Sequence, residues 1–98
     1  MMRLLIRDEF NNLEVHEICS FGYDSELECK ETGHIFSGFY FITLDDRIYG
    51  LEIESISSCN LICWELLEIG YLICWELLEK GYADITGYGL CYFLDFNA

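Results

Sequence analysis

A chain of 98 residues that is 53% hydrophobic and 16% aromatic has the composition of a folded domain, not of a disordered tail, and it reads as a single domain over 1–98. Eighteen acidic residues against five basic ones leave a net charge of −13, which argues against direct binding to nucleic acid or to an anionic membrane surface, since both need a Lys or Arg face. The same imbalance favours a basic protein partner, drawn in by opposite charge, although acidity also serves simply to keep an aromatic-rich domain in solution.

The first ten residues, MMRLLIRDEF, hold only Leu4-Leu5-Ile6 as an apolar run, shorter than the ~7–15 residues of a secretory signal core. No run of 18 apolar residues follows, so the expected location is the cytoplasm. The six cysteines at 19, 29, 59, 63, 74 and 91 are then expected as thiols. Met2 to Asp8 reads as a first strand and Leu13 to Ile18 as its hairpin partner across Asn11-Asn12. Ser20 to Ser25 reads as a turn or irregular strand, and Glu26 to Glu31 as a short charged edge strand. The aromatic and β-branched run Ile35 to Leu44 is the clearest strand. It turns at Asp45-Asp46 into Arg47 to Ile56, where Tyr49, Leu51 and Ile53 alternate with Glu52 and Glu54. Ser55 to Asn60 is a polar link. After Gly81 a linker containing Asp84, Gly87 and Gly89 leads to a last strand, Leu90 to Phe96, with Leu90, Tyr92, Leu94 and Phe96 on one face.

Between these strands lies the most distinctive stretch of the chain. Leu61 to Tyr71 reads LICWELLEIGY, and Leu72 to Tyr82 repeats it as LICWELLEKGY, with Ile69 against Lys80 as the single difference. Eleven residues are about three helical turns, so a tandem copy keeps nearly the same face. Ser58 or Asn60 can cap the start, and Lys80-Gly81 is a stop signal. Gly70 sits in the middle at a cost of ~1 kcal/mol in a continuous helix. It leaves two readings: one long helix kinked or strained there, or two short helices. The absence of a capping residue before Leu72 favours the single helix over about 60–80. The expected fold is therefore α+β: an antiparallel sheet of about five strands packed on one long helix, with the C-terminal strand returning to the sheet. The second copy would extend the helix past the sheet.

On a wheel at ~100° per residue, Glu65, Glu68, Glu76 and Glu79 fall within about 80° of one another as an acidic stripe. The remaining arc, with Trp64 and Trp75, is wider than one sheet covers and suits a partner protein or a second copy. Further acidic candidates are Glu52 and Glu54 on one strand face and Asp45 and Asp46 at a hairpin tip. Most charged helical stripes are solvated faces and nothing more. Catalysis finds no signature: no nucleophile elbow, no phosphate loop, no His in a catalytic motif. His16, Cys19, Cys29 and His34 have metal-ligand chemistry, but the spacing H-x2-C-x9-C-x4-H matches no zinc knuckle, and buried apolar thiols are the commoner fate. No cofactor is expected, and the chain reads as a non-enzyme.

In size, acidity and lack of catalytic motifs the chain resembles small phage-encoded inhibitors of the anti-CRISPR and DNA-mimic type. That resemblance implies a protein that occupies the nucleic-acid-binding surface of a nuclease or Cas effector. Carboxylates every few Å along a rigid surface imitate duplex DNA, which carries one charge per ~1.7 Å of axis. The alternatives from the residues alone are a homo-oligomeric structural or adaptor module paired through the helix, and an antitoxin or immunity-type protein that neutralises a basic partner.

Overall fold

The computed structural model describes residues 2–8, 10–53 and 59–96, the side chains of 59–66 excepted. Six strands form one sheet: β1 (Met2–Arg7), β2 (Leu13–Glu28), β3 (Ile35–Thr43), β4 (Arg47–Ile53), β5 (Tyr82–Asp84) and β6 (Gly89–Phe96), in the order β5-β1-β2-β3-β4-β6. Every neighbouring pair is antiparallel except β1 and β5, which run parallel. The helix α1 (Cys59–Trp75) follows β4 and passes into a π-helical turn over Glu76–Lys80.

This corrects the expected architecture of about five antiparallel strands on one long helix. The sheet is mixed and six-stranded, and it dominates the fold. The α-helical geometry ends at Trp75, five residues before the expected stop at Lys80. The strand missed in the sequence is β5, only Tyr82-Ala83-Asp84, too short for any periodicity to show. It exists because β1 offers a free edge: Arg3 N donates to Gly81 O at 2.9 Å and Ile85 N to Leu5 O at 3.1 Å. The segments Ser20–Ser25 and Glu26–Glu31 do not form an irregular piece and a separate edge strand. Through Glu28 they belong to the 16-residue β2. This strand pairs with β1 through its first half and with β3 through its second, and its register shifts at Ile18/Ser20 and Asp24/Leu27. Such bulges bend and twist a strand.

The chain forces the sheet to curl. β5 and β6 stand at opposite ends of the strand order, yet only Ile85–Tyr88 separates them. Five Cα steps of 3.8 Å reach at most about 19 Å, whereas five spacings of ~4.8 Å in a flat sheet need about 24 Å. The sheet edges are therefore drawn toward each other, and the concave side is filled. Leu4 and Ile6 of β1, Ile18 of β2, Phe41 of β3, Tyr49 and Leu51 of β4, and Ala83 and Ile85 around β5 meet Ile73 and Leu77 of the helical segment there.

A second, smaller core lies on the convex side, where Leu27, Cys29, Phe36 and Leu94 are buried with Tyr40, Ile48 and Tyr92 against them. Gly50 makes it possible: a Cβ there would stand 2.9 Å from both Phe36 Cζ and Leu94 Cδ1. β6 is thus covered on both faces, with Cys91 and Phe93 toward the main core and Tyr92 and Leu94 toward the second. A register shift at Ile48/Tyr49 in the β4–β6 pairing breaks the alternation, and the Phe96 ring lies 5.2 Å from that of Phe93. The expected single face of Leu90, Tyr92, Leu94 and Phe96 does not form.

Candidate partner-binding surface

The helical segment is anchored at its C-terminal end. Ile73 is 2% exposed and Leu77 1%, with Ile69 packed against the same core; these positions, four apart, are one helix face. Leu67, Tyr71 and Trp75, also four apart, are exposed, as are Leu72 and Leu78. Tyr71 is 75% exposed and Leu78 72%. The result is a ridge of large apolar side chains on the side of α1 away from the core, a concentration that commonly marks a protein contact.

Beside this ridge is an open groove of about 630 Å³ between the helix and the sheet. Phe21, Tyr23 and Phe39 form its floor from β2 and β3; Leu67, Tyr71 and Cys74 form its helical wall. Gly22 and Gly70 also line it. A Cβ on Gly70 would lie 3.0 Å from Phe39 Cζ, so the glycine lets the helix approach that ring closely. Tyr23 and Phe39 meet edge to face at 5.8 Å. The sequence hinted at this groove only through Gly70, which it read as a flaw in the helix.

The acidic candidates separate when placed in the fold. Glu68 and Glu79 are exposed on the helical segment. Glu76 is half-buried, and its carboxylate accepts the Tyr88 hydroxyl at 3.1 Å. Burial first, and then the Glu76 charge, push the Tyr88 phenol above its ordinary pKa. Glu52 faces the convex side, where it accepts from Tyr92 Oη at 3.4 Å and lies 2.9 Å from His34 Nε2. Asp45 pairs with Arg47 at 2.7 Å. The Thr43 hydroxyl, and then Arg47, hold its carboxyl below the usual range. Asp46 occupies the left-handed region of the same turn at φ 62. Trp75 is exposed with the Lys80 ammonium 5.3 Å from its ring centre. The side chains of Trp64 and Glu65, and all of Glu54, lie outside the described residues.

The few cations are largely spoken for. Arg7 pairs with Asp84 at 3.4 Å, Lys30 with Asp95, and Arg47 with Asp45, while Lys80 sits over Trp75. Each ion pair cancels one carboxylate and frees no positive charge. Among the described residues no acidic side chain is buried, so the acidity read from the composition lies on their surface.

The metal-ligand types in the first half of the chain go to different places. His16 packs on Tyr49 at 4.7 Å, and its Nδ1 is 3.4 Å from Arg47 Nη2. Cys19 donates to Ile42 O and Cys29 to Phe93 O. His34 stacks on Phe36 and leans on Tyr92. Among the described residues no three His, Cys, Asp or Glu side chains converge to hold a metal ion. The His16–Arg47–Tyr49 cluster escaped sequence reasoning because its members come from β2 and β4, which do not pair. Arg47 Nε is buried there without a hydrogen-bond partner. Among the described residues no helix is long and apolar enough to cross a membrane.

Compared with protein-family models, curated proteins and solved structures, the chain matches none. Its surface chemistry therefore carries the functional reading.

Proposed function

We propose that this chain is a small acidic protein-binding inhibitor whose partner is a basic, nucleic-acid-binding enzyme such as a nuclease or a Cas effector, and that it acts by occupying the partner's nucleic-acid surface. The observation that carries this reading is the unbalanced surface charge: a net −13, with three of the five cations ion-paired within the chain. Opposite charge accelerates encounter with a basic cleft, and the exposed ridge of Leu67, Tyr71, Trp75 and Leu78 supplies the apolar contact that holds a complex once formed. Glu68 and Glu79 flank that ridge on the exposed side of the helical segment.

The test is competition. Proteins retained by the immobilised chain from the source cell are eluted with duplex DNA, and their nuclease activity is measured with and without the free chain. DNA should displace the partner, the chain should inhibit it, and the double charge reversal Glu68→Lys with Glu79→Lys should weaken inhibition roughly tenfold or more, with a steep salt dependence. Retention that DNA does not compete refutes occupation of a nucleic-acid site.

Pairing of two copies through the helix is a second reading, favoured by the same exposed ridge. Like charge on both copies opposes it, and sedimentation at low and high salt decides it. A dimer should appear only as salt screens the repulsion.

A further inference from the structure

The groove beside α1 has a chemistry of its own. Its floor is Phe21, Tyr23 and Phe39, and its wall is Leu67, Tyr71 and Cys74. Its volume of about 630 Å³ falls inside the ~300–1,000 Å³ range of small-molecule sites, so even the largest apolar side chain enters it with room to spare. Among the described residues no charged side chain lines it, and its polar side-chain atoms are two tyrosine hydroxyls and one thiol. Whatever enters is held mainly by apolar burial.

Charge decides among the occupants that apolar burial would admit. None of the five cations lines the groove. The residues next along the chain from its floor and wall include Asp24 after Tyr23 and Glu68 after Leu67, both exposed. An anionic amphiphile such as a fatty acid would bring its carboxylate into a field of its own sign, with no Arg or Lys to receive it. A second copy would bring another net −13. A Lys- or Arg-bearing polypeptide gains on both counts, since its apolar anchor is buried against the groove floor and its cations meet the acidic surround.

We propose that the Phe21–Phe39–Tyr71 groove is the socket for one large apolar side chain carried on a cationic segment of the partner. This rests on the basic-partner reading above and adds the place and the anchor. It also explains the glycine at position 70, because a larger residue would press on Phe39 and narrow the socket.

Two fluorescein-labelled probes test it by anisotropy at low salt: a short Lys/Ser peptide carrying one Trp, and the same peptide with Ser in place of Trp. The Trp peptide should bind at least about tenfold more tightly, as loss of a well-packed anchor implies. It should shift the backbone amides of Phe21, Tyr23 and Phe39 in a ¹⁵N spectrum. The double variant Leu67→Ala with Tyr71→Ala should erase the difference between the peptides, whereas Leu78→Ala should preserve it. Should the double variant fail to fold, the amide shifts in the unaltered protein decide. Equal binding of both peptides overturns the socket and leaves the basic-partner reading standing. No binding of either overturns both. Dodecanoate competing as well as the Trp peptide overturns the cationic occupant, and a dimer that dissolves on Leu67→Ala with Tyr71→Ala assigns the groove to a second copy.

Discussion

The two copies of the eleven-residue repeat are nearly one sequence in two environments. The tripeptide Glu68-Ile69-Gly70 and the following Tyr71 stay helical, and α1 runs on through them. The matching Glu79-Lys80-Gly81 closes the helical segment: Gly81 adopts φ 80, and Tyr82 opens a strand. Gly70 keeps helical geometry and leaves space that an added Cβ would take from Phe39, while Gly81 takes the left-handed conformation that side chains resist. Tyr71 stands in solvent on the helix, and Tyr82 pairs with Arg3 in the sheet.

Their own residues differ only at Ile69 and Lys80, so most of the divergence comes from what lies beyond them. After Tyr71 come Leu72-Ile73, and Ile73 drops into the core. After Tyr82 come Ala83-Asp84, which add to the open edge of β1. A sequence expectation also fails here. Helical phase predicts a second copy that extends past the sheet, yet that copy supplies Ile73 and Leu77, two of the most buried side chains in the molecule.

The largest expected effect sharpens this contrast within one copy. Leu77→Ala should cost about 2–5 kcal/mol because it opens a cavity in the main core. The neighbouring Leu78→Ala should stay within about 0.5 kcal/mol, as surface changes do. Urea unfolding of both variants measures the difference, and equal costs would mean that the helical segment does not present Leu77 to the core.

The glycines come next. Gly81→Ala forces a side chain into the left-handed region and should cost about 1–2 kcal/mol. Gly70→Ala gains up to ~1 kcal/mol of helix propensity but sets a Cβ 3.0 Å from Phe39 Cζ, and should leave stability within about 1 kcal/mol of the parent. A Gly70→Ala cost as large as that of Gly81→Ala would show that Gly70 too is demanded by its backbone.

Smaller still is Lys80→Ile, which makes the two copies identical. It removes a cation from the negative end of the helix and from the Trp75 ring, and should cost less than about 1 kcal/mol. Helix content by circular dichroism should not rise, because β1 still recruits Tyr82–Asp84. A longer helix in this variant would give the single Ile/Lys difference the deciding role.

A last contrast, in thiol reactivity, is between two cysteines outside the repeat. Burial pushes the Cys91 thiol up to about 12 from an ordinary value of 9.0. The folded state therefore favours the neutral thiol. The stability this contributes is whole below pH 9 and is lost as pH rises from there toward 12, where the unfolded chain ionises first. A variant retaining Cys91 alone should resist a thiol reagent at pH 8 until unfolded, whereas one retaining exposed Cys19 alone should react in the native state.

Residue pattern alone determined the local pieces with strong periodicity or a strong stop. The β3–β4 hairpin forms around Asp45-Asp46, with Tyr49 and Leu51 inward and Glu52 outward, because alternation with period two has one meaning on a half-buried strand. The end of the helical segment at Gly81 was likewise legible, because a glycine can take the left-handed conformation found there. Tertiary structure decided what depends on distant partners. β5 needs the edge of β1, and the continuity of β2 needs bulges against β3. The groove needs Phe21 and Phe39 brought under Leu67 and Tyr71. The net charge of −13 was visible from the outset. The inward turn of Glu76 to Tyr88, and the use of most cations by their own carboxylates, were not, because ion pairs and hydrogen bonds such as Arg7–Asp84 and Tyr88–Glu76 join side chains that only folding brings together.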